Sequence, residues 1–493
     1  MNSRDDWKNK AKRRGSAIRG YRKTSCAYKK RLGRDRREIR HLEAEVAELR
    51  LALHARGCPV ESSAVMQHRT LCVLIVVCGV VSFRSVPRIL QIFQPWLWAK
   101  IRIPHFTSVI HWTLRVGIAI FKQVAMISEP WMAIIDCSIA IGTKKALVVL
   151  RVPLSALKNR QGAIGLRDCE CVGLEISHTW NGPLVADALT KIFEKSGIPN
   201  AIIKDGGADL NKGVRLFCER KPQQQICTIE DIGHFAANAL KALFAKSKPF
   251  VEFLKITSRA ATLIRQTDLA WLLPPKIRSK GRFQAITEVA KWAHKILDLI
   301  GGKRKAEDGS DLAKARKTFL GLAKLRPFLN QFCHTCSTTA HFLERMKTAG
   351  LNETTYLEAK SVLARLPARS VVRLRLSTWL EKHILIQRAL AIGQLPLLVS
   401  TDAIESLFGK FKTVIQRNPQ AELNRLIYVI PLLCGNHSYN DIDRAINQCS
   451  HSEMLDQIER TVLPTLRQQR AQQLEKGSPS VPKTGIVPRL RPG

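Results

Sequence analysis

The chain has 493 residues, 45% of them hydrophobic, with 79 Lys and Arg against 40 Asp and Glu, a net charge of +39 and a pI near 10.2. That size gives room for two or three domains and excludes a chain without real cores. The charge makes a polyanion the default partner, bound with counterion release and therefore salt-sensitive, and leaves open a merely basic, ribosome-like protein.

The first forty residues carry sixteen Lys or Arg and four Asp or Glu, in clusters such as Lys12-Arg13-Arg14 and Arg34-Asp35-Arg36-Arg37. This reads as an arm that settles on phosphates. Ile39, Leu42, Val46, Leu49 and Leu53 then keep the three-four spacing of a coiled-coil seam over about two heptads, suited to a dimer contact or to an intramolecular helix. The apolar run from Leu71 to Phe83 is shorter than the roughly 18 residues of a membrane helix, so a buried helix is expected.

Between 78 and 117 two short helical patterns flank a break at Gln94-Pro95-Trp96. Val86, Ile89, Leu90 and Ile92 mark the first. Val109, Trp112, Leu114 and Val116 mark the second, with Gly117 as its stop. Two helices around a turn are the ingredients of a helix-turn-helix, and Ser108, His111, Thr113 and Arg115 would form the polar face entering a major groove. A small helical linker domain is the other reading.

From 131 to 246 the patterns run three strands, helix, strand, helix, strand, helix. The strands are expected at 131–136, 144–152, 171–180, about 200–205 and 225–231, and the first helix at Pro183 to Ser196, with Leu184, Ala188, Leu189 and Ile192 inward and Gly197 as its stop. Asp136 ends the apolar strand MAIID and Asp205 directly follows NAIIK. Far downstream Glu405 lies in TDAIESLFGKFK. A structural Asp136 would need a nearby donor, since an unpaired carboxylate there is costly. Asp209 competes with Asp205, and Asp402, a candidate helix cap, competes with Glu405.

With these residues in place the chain resembles the RNase H-like fold of DDE-type DNA transposases and retroviral-type integrases. In that family one Asp lies on the first strand, one follows the fourth, and a Glu sits on a late helix. The resemblance covers about 130 to 247 and 398 to 418. It implies an α/β fold, a mixed five-stranded RNase H-like sheet interrupted by a large all-α insertion and preceded by a basic coiled-coil segment and a helix-turn-helix. Asp136, Asp205 and Glu405 would be catalytic and hold two Mg2+ ions, with Mn2+ able to substitute. Carboxylates suit such hard cations, which activate the attacking oxygen and stabilise the leaving one. The implied partners are double-stranded DNA, as element terminal inverted repeats and as target, and a homodimer or higher oligomer, with no membrane.

Two accessory features go with the resemblance. Lys412 lies two helical turns beyond Glu405, where some transposases place a DNA-binding cation, and Lys410 is close by, although the Tyr and Arg that precede the Glu in their signature are missing here. Solvated lysines are the competing reading. Asp231-Ile-Gly-His234 resembles the Cys/Asp-x-x-His element of several transposase groups, against a capping Asp with a packing His.

The implied organisation is 1–60 basic arm and coiled coil, 61–125 helix-turn-helix, 126–247 first part of the core, 248–398 insertion, 399–450 closing helices and 451–493 C-terminal helix with a disordered basic tail. Insertion helices are expected at Phe283 to Ile300, Leu312 to Phe328 and Val371 to Ala391. Trp271 and Trp292 are candidates for base stacking or, more simply, for the core. Cys333-His-Thr-Cys336 lacks a second pair at zinc spacing and reads as packing thiols. After Glu405, Leu423, Leu426, Ile427 and Ile430 continue at core spacing. Thirteen cysteines without a framework, and no cleavable signal pattern, suggest free thiols in a reducing compartment, cytoplasmic and nucleoid-associated for an element of bacterial type. A metal-dependent nuclease or resolvase of the same fold, and a catalytically inert DNA-binding regulator, are the alternative functions.

Overall fold

The computed structural model describes residues 38, 40–41, 64–96, 103–141, 144–158, 163–276, 282–302, 307–390, 392, 395–415 and 424–462. Nearly all of the basic arm, the seam residues Ile39, Leu42, Val46, Leu49 and Leu53, and the C-terminal tail lie outside them.

The helices before the sheet are α1 (Ala64–Gly79), α2 (Ser85–Phe93) and α3 (Phe106–Gln123). The expected buried helix at 71 is the second half of α1, and among the described residues no helix is long and apolar enough to cross a membrane. Helix α3 does not stop at Gly117. It continues to Gln123 because Gly117 lies against the 3-10 turn Arg425–Val429, where a Cβ would come within 1.8 Å of the Tyr428 carbonyl oxygen. Val109, Leu114, Val116 and Ile118 are all fully buried, so α3 is a packed strut.

The core then runs β1 (Trp131–Ile141), β2 (Lys144–Pro153), α4 (Leu154–Lys158), β3 (Glu170–Ser177), α5 (Gly182–Ser196), β4 (Ala201–Lys204), α6 (Ala208–Glu219), β5 (Cys227–Glu230) and α7 (Ile232–Phe244). The sheet order is β3-β2-β1-β4-β5, with β1, β2 and β3 antiparallel and β1, β4 and β5 parallel. This is the expected mixed five-stranded α/β sheet.

Strand alternation divides β1 between two cores. Trp131, Ala133 and Ile135 face α5 and α6, whereas Met132 and Ile134 face the larger core that includes α7 and the later helices. Helix α5 starts under the Asn181 cap and ends at Gly197, as its sequence dictates. Its inward residues are Val185, Ala188, Leu189 and Ile192; Leu184, expected inward, is 41% exposed because the stripe is set one residue later.

Among the described residues six α-helices separate the two parts of the core: α8 (Lys248–Ile264), α9 (Ile286–Gly301), α10 (Asp311–Lys324), α11 (Arg326–Ala349), α12 (Glu353–Ala364) and α13 (Val371–Ala389). The single helix expected over 312–328 is broken at Leu325, since Pro327 can occupy only the first turn of a new helix. Cys333 and Cys336 are both on α11. Cys333 donates to the Ala290 carbonyl of α9 at 3.2 Å and Cys336 is fully buried, so both are packing thiols. Trp292 is buried with its indole N–H on the Leu272 carbonyl, while Trp271 is 69% exposed.

The chain returns through α14 (Asp402–Val414), 3-10 turns around Ile427 and Leu432, α15 (Tyr439–Gln448) and α16 (His451–Thr461). Ile427 and Ile430 are buried as expected, in 3-10 turns and not in a continued helix. Leu423 lies outside the described residues.

Candidate active site

Strand register brings three aspartates into one row. β1 and β4 pair as Ile134 with Ile203 and Ile135 with Lys204, and β4 and β5 pair as Ile203 with Ile229 and Lys204 with Glu230. One residue further along lie Asp136, Asp205 and Asp231; Asp205 and Asp231 directly follow β4 and β5, whereas Asp136, expected to end its strand, lies inside β1, which runs on to Ile141 beside β2 after its parallel pairing with β4 has ended. Adjacent strands lie about 4.8 Å apart. Met132, Ile134, Ala201, Ile203 and Ile229 all face the larger core, so alternation puts the three acids on that same face.

Each acid is fixed differently. Asp136 is buried, at 8% exposure. The half-buried Asp205 accepts the Gly207 N–H at 2.9 Å, a close approach that glycine permits, because a Cβ there would stand 3.0 Å from the same carboxylate oxygen. Asp209, its competitor, is exposed in the first turn of α6.

Asp231 is buried and fully engaged. One oxygen accepts the backbone N–H of His234 at 2.7 Å and lies 2.9 Å from its ring Nδ1; the other accepts the Thr401 N–H at 2.8 Å. Burial pushes this carboxyl up, but the hydrogen bonds from the His234 ring, the His234 backbone and Thr401 outweigh it and hold Asp231 below the usual carboxylate range. The same contact raises His234 to about 9, against the opposing effect of burial, with further support from the charges of Asp231, Asp205 and Glu405. At that value the ring is an imidazolium at neutral pH.

The Asp231 to Thr401 bond also explains how a glutamate two hundred residues away reaches the site. Together with the Ile232 N–H on the Val399 carbonyl, it pins the returning chain to the start of α7, and α14 begins at the next residue and packs on β1. Glu405 stands in the first turn of α14. Its side chain is solvent-accessible overall, yet crowding by neighbouring atoms raises its carboxyl. His234 opposes that rise, Asp402 and Asp231 add to it, and Lys347 opposes it. Asp402 is not the cap of α14. It pairs with Lys347 of α11 at 2.6 Å, and Thr401 holds the capping position.

A cavity of about 200 Å³ beside these groups is lined by Asp231, His234, Gln284, Lys347, Asp402 and Glu405. Lys347 and Gln284 come from the insertion, and no sequence spacing pointed to them. Gln284 Nε2 lies 2.8 Å from His234 Nε2, a contact in which the amide N–H donates to a neutral ring; a ring protonated at both nitrogens requires the amide to turn its oxygen there instead. Asp136, Asp205 and Glu405 offer the hard oxygen donors that suit Mg2+. Among the described residues no three His, Cys, Asp or Glu side chains are already gathered at metal-holding distance.

The expected DNA contacts fare unevenly. Arg115 donates from Nε to the Cys449 carbonyl and from Nη2 to the Ile446 carbonyl, tying α3 to the end of α15. His111 is half-buried against His451 and lowered to about 4, by burial first and then by Arg425 and His451. Ser108 is half-buried in the first turn of α3 and Thr113 is buried. Arg115 and His111 thus meet neighbouring helices, Thr113 donates to the Val109 carbonyl of its own helix at 2.7 Å and Ser108 keeps partial exposure, so these contacts lend the expected recognition face no support. Lys410 and Lys412 are half-buried on α14, and the charge of Lys410 is felt at the Cys434 thiol.

No protein-family model and no curated protein matches the chain. Among solved structures, a Drosophila P element transposase strand transfer complex is similar, with 11% sequence identity, 82% of this chain and 98% of that chain covered, and a TM-score of 0.39.

Proposed function

We propose that the protein is a DDE-type DNA transposase, cutting phosphodiester bonds at element ends and joining the freed 3'-hydroxyl to target DNA. The reading rests on one observation: Asp136 and Asp205 each lie one residue beyond the last parallel pair of β1 and β4, on one face of the sheet, and the helix that carries Glu405 packs on β1. Two Mg2+ ions held by these carboxylates would supply Lewis acidity and a nucleophile at neutral pH. The chain's own part is positional. The sheet fixes the aspartates, the Asp231 bond to Thr401 sets the helix of Glu405, and the cationic His234 faces the place where phosphate charge would gather.

Double-stranded DNA carrying terminal inverted repeats is the proposed substrate and a homo-oligomer the proposed working form, in keeping with the net charge of +39. Incubation of a labelled element end with Mg2+ tests this. Cleavage and strand joining by the wild type should fall by at least about a hundredfold in Asp136→Asn, the scale of losing a main electrostatic contributor. Unchanged cleavage in the variant overturns the assignment, cutting without joining indicates a nuclease, and binding without cutting by the wild type indicates a regulator.

A further inference from the structure

Beside the acid cavity a second groove of about 440 Å³ runs along α7, walled on one side by His234, Asn238 and Lys241 and on the other by Arg282 and Gln284. His234, Asn238 and Lys241 follow one another at four and three residues, so they share a helix face, and Lys241 stands about 10 Å from His234 along the axis. The two cavities share His234 and Gln284 and meet where these two side chains touch. They differ in charge. The first is lined by Asp231, Asp402 and Glu405 together with the cations Lys347, paired with Asp402, and His234, whereas no acid lines the second, whose charged lining residues are the cations Lys241, Arg282 and His234.

Arg282 adds an independent signal. Its Nε is buried and has no hydrogen-bond partner, a costly state for a guanidinium donor unless an acceptor arrives from outside. The groove presents no aromatic face to a base, because Phe283 is 8% exposed and stacked on Phe250. Its donors are a guanidinium, an ammonium and side-chain amides, which suit phosphate oxygens.

We propose that this groove is the track for the sugar-phosphate backbone of one nucleic-acid strand entering the acid site, with Lys241 and Arg282 binding phosphates. The track rests on the phosphodiester chemistry proposed above. The span of about 10 Å from His234 to Lys241 is long enough for successive phosphates of one strand to lie along it. Binding is to the backbone and independent of sequence, and Gln284 and His234 stand where the strand passes from the basic to the acidic cavity.

Binding of the full chain to fluorescein-labelled DNA, followed by anisotropy in EDTA over a range of salt, separates this from catalysis. The probes are a blunt duplex and the same duplex with an unpaired strand at one end. Lys241→Ala with Arg282→Ala should weaken binding of the unpaired-strand probe more than that of the blunt one. The same pair should lower the salt slope of that probe by about 1.4, at about 0.7 for each single-strand phosphate that is no longer neutralised. Lys255→Ala with Lys317→Ala removes the same charge from exposed lysines of α8 and α10 that do not line the groove, and should leave the difference between the probes unchanged. Lys241→Arg with Arg282→Lys keeps the charge and should keep the slope, which guards against a loss caused by misfolding. An unchanged slope, equal weakening of both probes, or the same differential loss in the control pair overturns the track. Asp136→Asn should bind with the wild-type slope. If it also cuts DNA normally while the groove variant loses the unpaired-strand preference, the catalytic assignment fails and the track stands.

Discussion

At the scale of single residues, Asp231 joins the two roles that the sequence presented as alternatives and adds a third. It caps α7 through the His234 N–H, holds the His234 ring, and fixes the Thr401 N–H ahead of α14. Capping and site ordering are therefore one arrangement. Asp231→Asn keeps an oxygen for the cap and removes the charge, so the helix should persist while His234 falls from about 9 toward its ordinary value near 6.5. Titration of the His234 ring by NMR in EDTA checks this, and a value still near 9 would mean that Asp205 and Glu405 carry the effect. The spacing of Asp231 and His234 was legible because both belong to one helix start. Lys347 and Gln284 were not, since residues that enter a site from different insertion segments leave no local pattern.

At the scale of elements, the insertion completes the core sheet. β5 is an edge strand, and α13 covers it: the Trp379 indole donates to the Glu230 carbonyl at 3.1 Å, and His383 Nε2 accepts the Glu230 N–H at 3.1 Å while its Nδ1 donates to the Trp379 carbonyl at 2.7 Å. Both edge groups of the residue before Asp231 are thus paired by side chains. His383→Leu keeps the bulk and leaves that N–H without a partner, at a cost of about 1–3 kcal/mol. Urea unfolding measures it, and a loss within error would show that water takes over the edge. Where α3 meets the turn around Tyr428, Gly117→Ala should cost about 1–3 kcal/mol by overpacking, or more if the turn cannot yield, read in the same assay. The order of strands and helices along the chain was legible from apolar runs bounded by Gly and Pro. The partners of Arg115 and His111 on α3 were not, because a packed helix and a recognition helix share the same three-four spacing.

At the scale of the molecule, buried histidines of opposite kinds should shape stability against pH from both sides. His383 is lowered to about 4, chiefly by burial, with the Trp379 carbonyl and Glu230 opposing and Lys382 and Lys204 adding to the drop; His111 is also lowered to about 4 by burial, Arg425 and His451. Below about pH 6.5 the unfolded chain takes up protons that these native rings refuse. Their contribution is therefore complete above about 6.5 and is lost as pH falls toward about 4. His234 acts the other way, since the native ring holds its proton up to about 9 while the unfolded one releases it near 6.5. Its contribution is complete below about 6.5 and is lost as pH rises through about 9. Urea midpoints measured from pH 4 to 9 in EDTA should therefore pass through a maximum to which the two limbs can be assigned separately. His234→Gln should flatten the alkaline limb and leave the acid limb in place, and His383→Leu should lower the whole curve while reducing the slope of the acid limb. An alkaline limb that survives His234→Gln would mean that the ion pair with Asp231 does not support the folded state, and the link between α7 and the helix of Glu405 would then rest on the Thr401 and Ile232 backbone bonds alone.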